Sequence, residues 1–467
     1  MERPKTIREL KDSGYVIRSV KSEIRENLIK KIQRNEKLFP GIIGFEDTVI
    51  PQIENAILSG QDIILLGERG QAKTRLMRGF VSLLDQEIPV LAGCEIRDNP
   101  LSPVCRRCKE TVAETGLETK IEWIGREKRY NEKLATPDVT MADLIGEIDP
   151  IKVAEGKYLS DERTIHFGLI PRSNRGIFAL NELPDLAEKI QVGLFNILEE
   201  RDVQIRGFTI RLPLDVYLMA SANPEDYTNR GRIITPLKDR FGSQIRTHYP
   251  ITREKEIQIM EQERCRFPEE DRIIMPEFMK EIVAEITRQA RRHPEIDQAS
   301  GVSVRVSISN HENVISNAIR RYLRLKETYI VPRITDLSYI IASTTGKVEL
   351  EGFLEDRERM VVSQLIDKAV LEIFNKVFGD YDFSIFLNNL QDSTGIIVSD
   401  ELPSEEYERQ ALHLKGLNRL FERLKVECRE TLASALEFIL EGLHQRGKLN
   451  KEETSGKVRY GGYENIP

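Results

Sequence analysis

The sequence predicts an α/β domain built on a mainly parallel sheet, followed by an all-helical region. Three observations carry that expectation. From Ile42 to about Pro250, short apolar runs alternate with helical stretches, the clearest runs being Asp62–Leu66, Gly176–Leu180 and Asp215–Ala220. Each run is short, largely apolar and bounded by turn or charged residues, as strands covered on both faces are. Beyond Pro250, residues 252–263, 276–292, 310–325, 357–378 and 405–445 are amphipathic and poor in glycine, and they read as helices.

The elements fall into an order of domains. At 467 residues the chain exceeds one ordinary core, so two or three domains are expected. Residues 1–38 read as a helical arm, with Ile7, Leu10, Ile17, Ile24, Leu28 and Ile32 at helical spacing, ended by Pro40-Gly41. Residues 39–252 form the α/β part, 253–348 a helical lid, 349–446 a helical extension, and 447–467 a mobile tail. Composition bounds the function classes. The chain is 40% apolar and 31% charged, with a net charge of -7, so no global positive field favours nucleic acid. The charged start Met1–Arg8 precedes no apolar segment, and no run approaches the roughly 20 residues of a membrane span. Five cysteines, an odd number, fit free thiols in a reducing compartment, so a cytoplasmic protein is expected.

The strand ending at Leu66 runs straight into Gly67-Glu68-Arg69-Gly70-Gln71-Ala72-Lys73-Thr74, and Arg75–Leu84 then reads as a helix. Strand, glycine-bearing loop and helix form the context in which this pattern cradles phosphates. Gly67 and Gly70 let backbone N–H groups turn inward, and the start of the following helix adds its positive dipole end. Lys73 supplies a mobile charge to β- and γ-phosphates, and the Thr74 hydroxyl is placed to ligate Mg²⁺. Ala72 stands where a second glycine is common. A methyl group fits there if that backbone position is helical, because only positive φ demands glycine.

The second strand ends in Asn181-Glu182. In an ATPase the first residue there holds Mg²⁺ and the second, here Glu182, polarises the attacking water. Asn181 offers a carbonyl oxygen without charge. The third strand ends in Ser221-Ala222-Asn223, whose amide can orient that water or touch the γ-phosphate, although an Asx-turn also explains it. Downstream, Arg240 follows Leu237-Lys238-Asp239, where it can reach a neighbour's γ-phosphate or pair within its own chain.

With these elements in this order the chain resembles the AAA+ ATPases, and more narrowly the I-type ATPase subunit of magnesium chelatase and the MoxR-type ATPases. Alanine before the lysine, as in Gln71-Ala72-Lys73-Thr74, is usual in the MoxR-type loop. Asp143–Asp149 with Gly168–Gly176 is similar to the chelatase insertion, and Arg201–Arg211 to its β-hairpin. Ala222–Glu225 matches sensor 1, Asp239–Gly242 the arginine finger, and Gly301–Arg305 the sensor 2 segment, which makes Arg305 a candidate phosphate contact. Pro40–Gly44, with Ile42 and Ile43, resembles the turn that packs on adenine, and Arg75 completes the loop set. The resemblance covers roughly residues 36–345. It implies a five-stranded parallel sheet between helices with a helical lid, a hexameric ring binding ATP and Mg²⁺ between protomers, and a partner carrying a von Willebrand A domain. Such a partner domain is not fused here, because Asp382-Phe-Ser384-Ile-Phe386 fails the last position of Asp-x-Ser-x-Ser. The function implied is a motor that remodels a partner protein or a metal-insertion complex. Asn181 keeps open a nucleotide-gated scaffold with slow or no hydrolysis. Arg201, Arg206 and Arg211 on the hairpin raise a DNA-translocating motor, which the acidic chain disfavours.

Cys94, Cys105 and Cys108 stand apart from that pattern. The Cys105-Arg-Arg-Cys108 spacing lets two thiolates bind one Zn²⁺, with Cys94 as a third ligand. Glu95, Asp98 or water is left as the fourth, and a redox dithiol or three unligated thiols remain alternatives. Cys265 and Cys428 are expected to be buried thiols.

Overall fold

The computed structural model describes residues 3–148, 164–200, 212–223, 232–297, 301–349, 355–391, 395–454 and 456–461. They divide into two compact units, Met1–His248 and Tyr249–Pro467. No helix among the described residues is long and apolar enough to cross a membrane.

The first unit is organised by a sheet. Its strands are β1 (Ile63–Leu66), β2 (Glu87–Leu91), β3 (Ile121–Gly125), β4 (Tyr130–Leu134), β5 (Gly146–Ile148), β6 (Ile165–Phe167), β7 (Gly176–Asn181), β8 (Val216–Ala222) and β9 (Ser243–Arg246). Five of them form one sheet in the order β4-β7-β8-β1-β9, every neighbouring pair parallel. The expected five-stranded parallel sheet between helices is therefore present. Its two faces explain why the three central strands, β7, β8 and β1, are largely apolar. Ile63, Leu65, Ile177, Ala179, Tyr217 and Met219 enter one core, which also holds Val20, Ile24, Leu28, Ile53 and Ile57. The alternate residues Ile64, Leu66, Phe178, Leu180, Leu218 and Ala220 enter the other, with Leu194 and Ile197. The antiparallel pair β2–β3 lies outside this sheet and brackets the cysteine-bearing segment.

The arm differs from its expected form. Two helices, Ile7–Asp12 and Val20–Gln33, replace one, because Gly14 turns the chain at φ 74 after the first. Ile17 and Ile32 are consequently exposed, whereas Ile7, Leu10, Ile24 and Leu28 are buried. The second helix belongs to the sheet's core, and Glu23 seals it there. Both Glu23 carboxylate oxygens accept from the Arg129 guanidinium at 2.7 and 2.6 Å, with each side chain almost fully buried.

The second unit is mostly helical. Helices Arg253–Glu263, Glu277–Ala290, Arg305–Leu325 and Glu355–Phe378 stand close to where periodicity put them. The expected helix over 405–445 is broken into Ser404–Leu412, Leu417–Arg423 and Arg429–Gln445. Gly416, at φ 92, and Lys425, at φ 55, are the left-handed turns between them. The boundary expected at 348/349 does not separate two cores. Met279, Ile282 and Ile286 share one apolar cluster with Leu365, Phe374 and Phe438. The segment expected as a mobile tail is paired instead. β10 (Ile396–Val398), β11 (Asn450–Thr454) and β12 (Lys457–Gly461) form an antiparallel sheet in which Tyr460 is buried. Polar composition hid that pairing, since only one residue in two of an antiparallel strand needs to face a core. The remaining thiols also depart from expectation. Cys265 is exposed in the loop after a helix, and Cys428 is half-buried as a helix cap.

Candidate active site

Parallel strands put their C-terminal ends on one edge of the sheet, and three of those ends converge here. β1 leads into the phosphate loop, β7 into Asn181-Glu182 and β8 into Ser221-Ala222-Asn223. Register sets the alignment: Leu66 pairs with Ala222, and Leu180 with Ala220. The Gly67 N–H donates to the Ala222 carbonyl at 3.0 Å, locking the start of the loop to β8.

Each loop residue has a physical role. A Cβ on Gly67 would overlap Thr247 Oγ1 and Gln71 Oε1, so close approach demands glycine there. The Thr247 hydroxyl donates to Gln71 Oε1 at 2.7 Å, bracing the loop from the end of β9. Gly70 has φ 78. Ala72 corrects an expectation: its backbone is left-handed, φ 56 and ψ 17, not helical. The methyl group is carried in a conformation usually left to glycine, so the residue is accommodated with strain. Helix Lys73–Gly79 starts immediately after it. The Lys73 side chain is buried, and its ammonium donates to the Gly67 carbonyl and to the Glu68 carbonyl, the latter at 2.9 Å. Arg75 is exposed on that helix.

Across the strand ends, the Thr74 hydroxyl donates to Asn181 Oδ1 at 3.3 Å. The Ser221 hydroxyl donates to the same oxygen at 3.4 Å and accepts from the Glu182 N–H at 3.2 Å. Ser221 is thus the bridge between β7 and β8, a role that the sequence signals only by its place before Ala222-Asn223. Glu182 is half-buried with a left-handed backbone, φ 55 and ψ 52, a second strained non-glycine residue at this edge. Asn223 is buried at the tip of β8. The donor set fits Mg²⁺ and a nucleotide: hydroxyl and amide oxygens for the hard cation, a buried ammonium and backbone N–H groups for phosphate.

The other candidates are placed as follows. Arg240 ends helix Thr235–Arg240, is exposed, and lies over the Phe195 ring at 4.8 Å. Ile42 and Ile43 are half-buried between Gly41 (φ 84) and Gly44 (φ 92), and Ile42 packs on the core that contains Phe39 and Phe45. Arg305 opens helix Arg305–Leu325 of the second unit and is exposed there. The hairpin 201–211, most of the insertion from 149, and Pro224-Glu225 lie outside the described residues. Away from the phosphate loop, Cys94, Cys105 and Cys108 come together with Asp98. Hydrogen bonds from Cys105 and Cys108 hold the Cys94 thiol well below its usual range, while burial and the Cys94 charge push Asp98 up to about 6.

Residues 109–241 match the family model described as an AAA domain, dynein-related subfamily. That stretch is similar to an AAA domain. The matched stretch contains Asn181, Glu182, Asn223 and Arg240 and begins after the phosphate loop. The chain is 26% identical over 229 residues to the uncharacterized protein YeaC of Bacillus subtilis, covering 45% of this chain and 65% of that protein. Among solved structures it is similar to the complex of subunits BchI and BchD of magnesium chelatase, at 18% identity and a TM-score of 0.36. That similarity covers 68% of this chain and 98% of the other. It is also similar to NtrX from Brucella abortus, at 14% identity and a TM-score of 0.41, over 74% of this chain and 66% of the other. Both structural likenesses are distant.

Proposed function

We propose that the chain is a Mg²⁺-dependent ATPase of the magnesium-chelatase and MoxR type, which remodels a partner protein or a metal-insertion complex. The observation that supports it most is the meeting of Thr74 and Asn181 across β1 and β7, with Glu182 next in the chain. In this reading Lys73 exchanges its carbonyl partners for β- and γ-phosphate oxygens, and Thr74 and Asn181 offer oxygens to the metal ion. Magnesium-bound ATP supplies a phosphoryl group whose charge is already partly neutralised. Glu182 accepts the proton of the attacking water, and Asn223 orients that water. Ile42 and Ile43 contact the base, and Arg75 borders the phosphates. Arg240 and Arg305 add positive charge at the γ-phosphate, Arg240 from a neighbouring copy in a hexameric ring. The partner is a von Willebrand A domain protein, and the setting is the cytoplasm.

The test is E182Q in the full chain. Phosphate release falls by about 100-fold or more while labelled ATP still binds. Unchanged turnover overturns the assignment. Asn181 favours a second reading, a scaffold that binds ATP and scarcely cleaves it. Under single-turnover conditions that scaffold retains intact ATP, whereas the motor releases one phosphate per bound nucleotide.

A further inference from the structure

The segment between β2 and the helix Arg106–Thr115 holds three thiols and a carboxylate that the AAA+ chemistry does not use. Cys94, Asp98, Cys105 and Cys108 each present one ligand atom, and these atoms all lie within 4.8 Å of one another. We propose that they form a closed, structural Zn²⁺ site of three thiolates and one carboxylate, independent of the nucleotide site.

Several observations converge on a ligand, beyond the C-x₂-C spacing. Asp98 is fully buried, and its two oxygens are treated differently by the fold. Oδ2 accepts the Val104 and Cys105 N–H groups at 3.1 and 2.9 Å, whereas buried Oδ1 has no hydrogen-bond partner. A buried carboxylate oxygen left without a partner carries an uncompensated desolvation penalty, and a cation bound there removes it. The sulfurs are oriented by backbone donors, as metal-bound thiolates are: Asp98 N–H to Cys94 Sγ and Cys108 N–H to Cys105 Sγ, both 3.4 Å. Cys105 caps the helix that carries Cys108, so the third and fourth ligands are fixed by one turn. The turn that brings Asp98 back to Cys94 uses a left-handed Arg97, φ 56.

The size of the cluster suits the ion. Bonds of about 2.3 Å to sulfur and about 2.0 Å to oxygen set ligand atoms roughly 3.5–3.8 Å apart around a tetrahedral zinc. The cluster closes to that spacing by contracting about one ångström. Cys105 and Cys108 are buried, and half-exposed Cys94 provides the entry side. Three soft sulfurs and one oxygen select zinc over magnesium or calcium, which take oxygen shells.

The test uses the full chain purified under reducing conditions. Elemental analysis should find close to one zinc per chain. Exchange for Co²⁺ should give the intense visible bands of tetrahedral coordination with thiolate-to-cobalt charge transfer. D98N should lower metal affinity by about 10-fold or more and alter the visible bands while keeping the charge transfer. C105S should lose the metal. A variant that fails to fold leaves the wild-type stoichiometry and cobalt spectrum to decide. Folded, reduced chain that takes up neither zinc nor cobalt overturns the proposal, as does a cobalt spectrum unchanged by D98N.

Discussion

At position 72 the backbone turns left-handed with a methyl group on it. That conformation costs an L-residue about 1–2 kcal/mol, while glycine adds roughly 0.5–1 kcal/mol of unfolded-chain entropy. A72G should therefore change stability by at most about 1.5 kcal/mol, in the stabilising direction, and keep nucleotide affinity. A72V puts a β-branched residue at positive φ and should weaken nucleotide binding markedly. Melting curves and nucleotide titrations of both variants check this. Asn181 allows a complementary experiment. Its Oδ1 accepts from two hydroxyls, Thr74 and Ser221, so an aspartate fits the same contacts without reversing a donor. N181D should fold normally and reach half-maximal ATPase activity at about tenfold lower Mg²⁺, because a carboxylate attracts the cation where an amide only coordinates it. A Mg²⁺ titration of both proteins reads the shift, and an unchanged midpoint shows that residue 181 does not face the metal.

Elements were legible where their burial is complete or strictly periodic. β1, β7 and β8 are buried on both faces, so their apolar runs announce them, and the residues at their ends follow. β4 was not legible, because Tyr-Asn-Glu-Lys-Leu at the sheet's edge reads as a polar loop until it pairs with β7. β9 and the β10–β12 sheet were hidden in the same way. The loop's chemistry was readable from residue types, yet the left-handed backbone at Ala72 and the Thr247 brace were not, since both depend on what β9 brings alongside. Asp98 was one of several open choices until the fold buried it beside the thiols. Helix Arg429–Gln445 shows a packing demand of the same nonlocal kind. A Cβ added to Gly442 would run into the Phe374 ring, which stacks on Phe383 and meets Phe378 tilted and Phe438 edge-on. Helix propensity alone favours alanine by about 1 kcal/mol. Overpacking an aromatic cluster costs about 1–3 kcal/mol and should win, so G442A should be destabilising in chemical denaturation. A stabilised G442A would mean that Phe374 repacks freely.

At the scale of the whole molecule, apolar burial is partitioned between the units. Among the described residues, the buried side chains of the two cores on either side of the sheet run up to Ile245, and those of the third start at Met260. Each unit thus has the means to fold by itself. Residues 249–467 expressed alone should show native helical content and one cooperative transition, with Tyr460 still protected on its sheet. The N-terminal arm leads to the opposite expectation, although its charge-rich sequence reads as an appendage. Removing residues 1–34 withdraws Val20, Ile24 and Leu28 from the core under the sheet and leaves Arg129 buried without its carboxylate. Breaking one side of a buried pair costs about 3–5 kcal/mol, and the lost apolar area adds to it. The truncated chain should lose the first unit's transition while the second unit's persists, and E23Q should shift the first transition in the same direction by a smaller amount. Calorimetry of the three proteins separates these outcomes, and a truncated chain that keeps both transitions would return the arm to the status of an appendage.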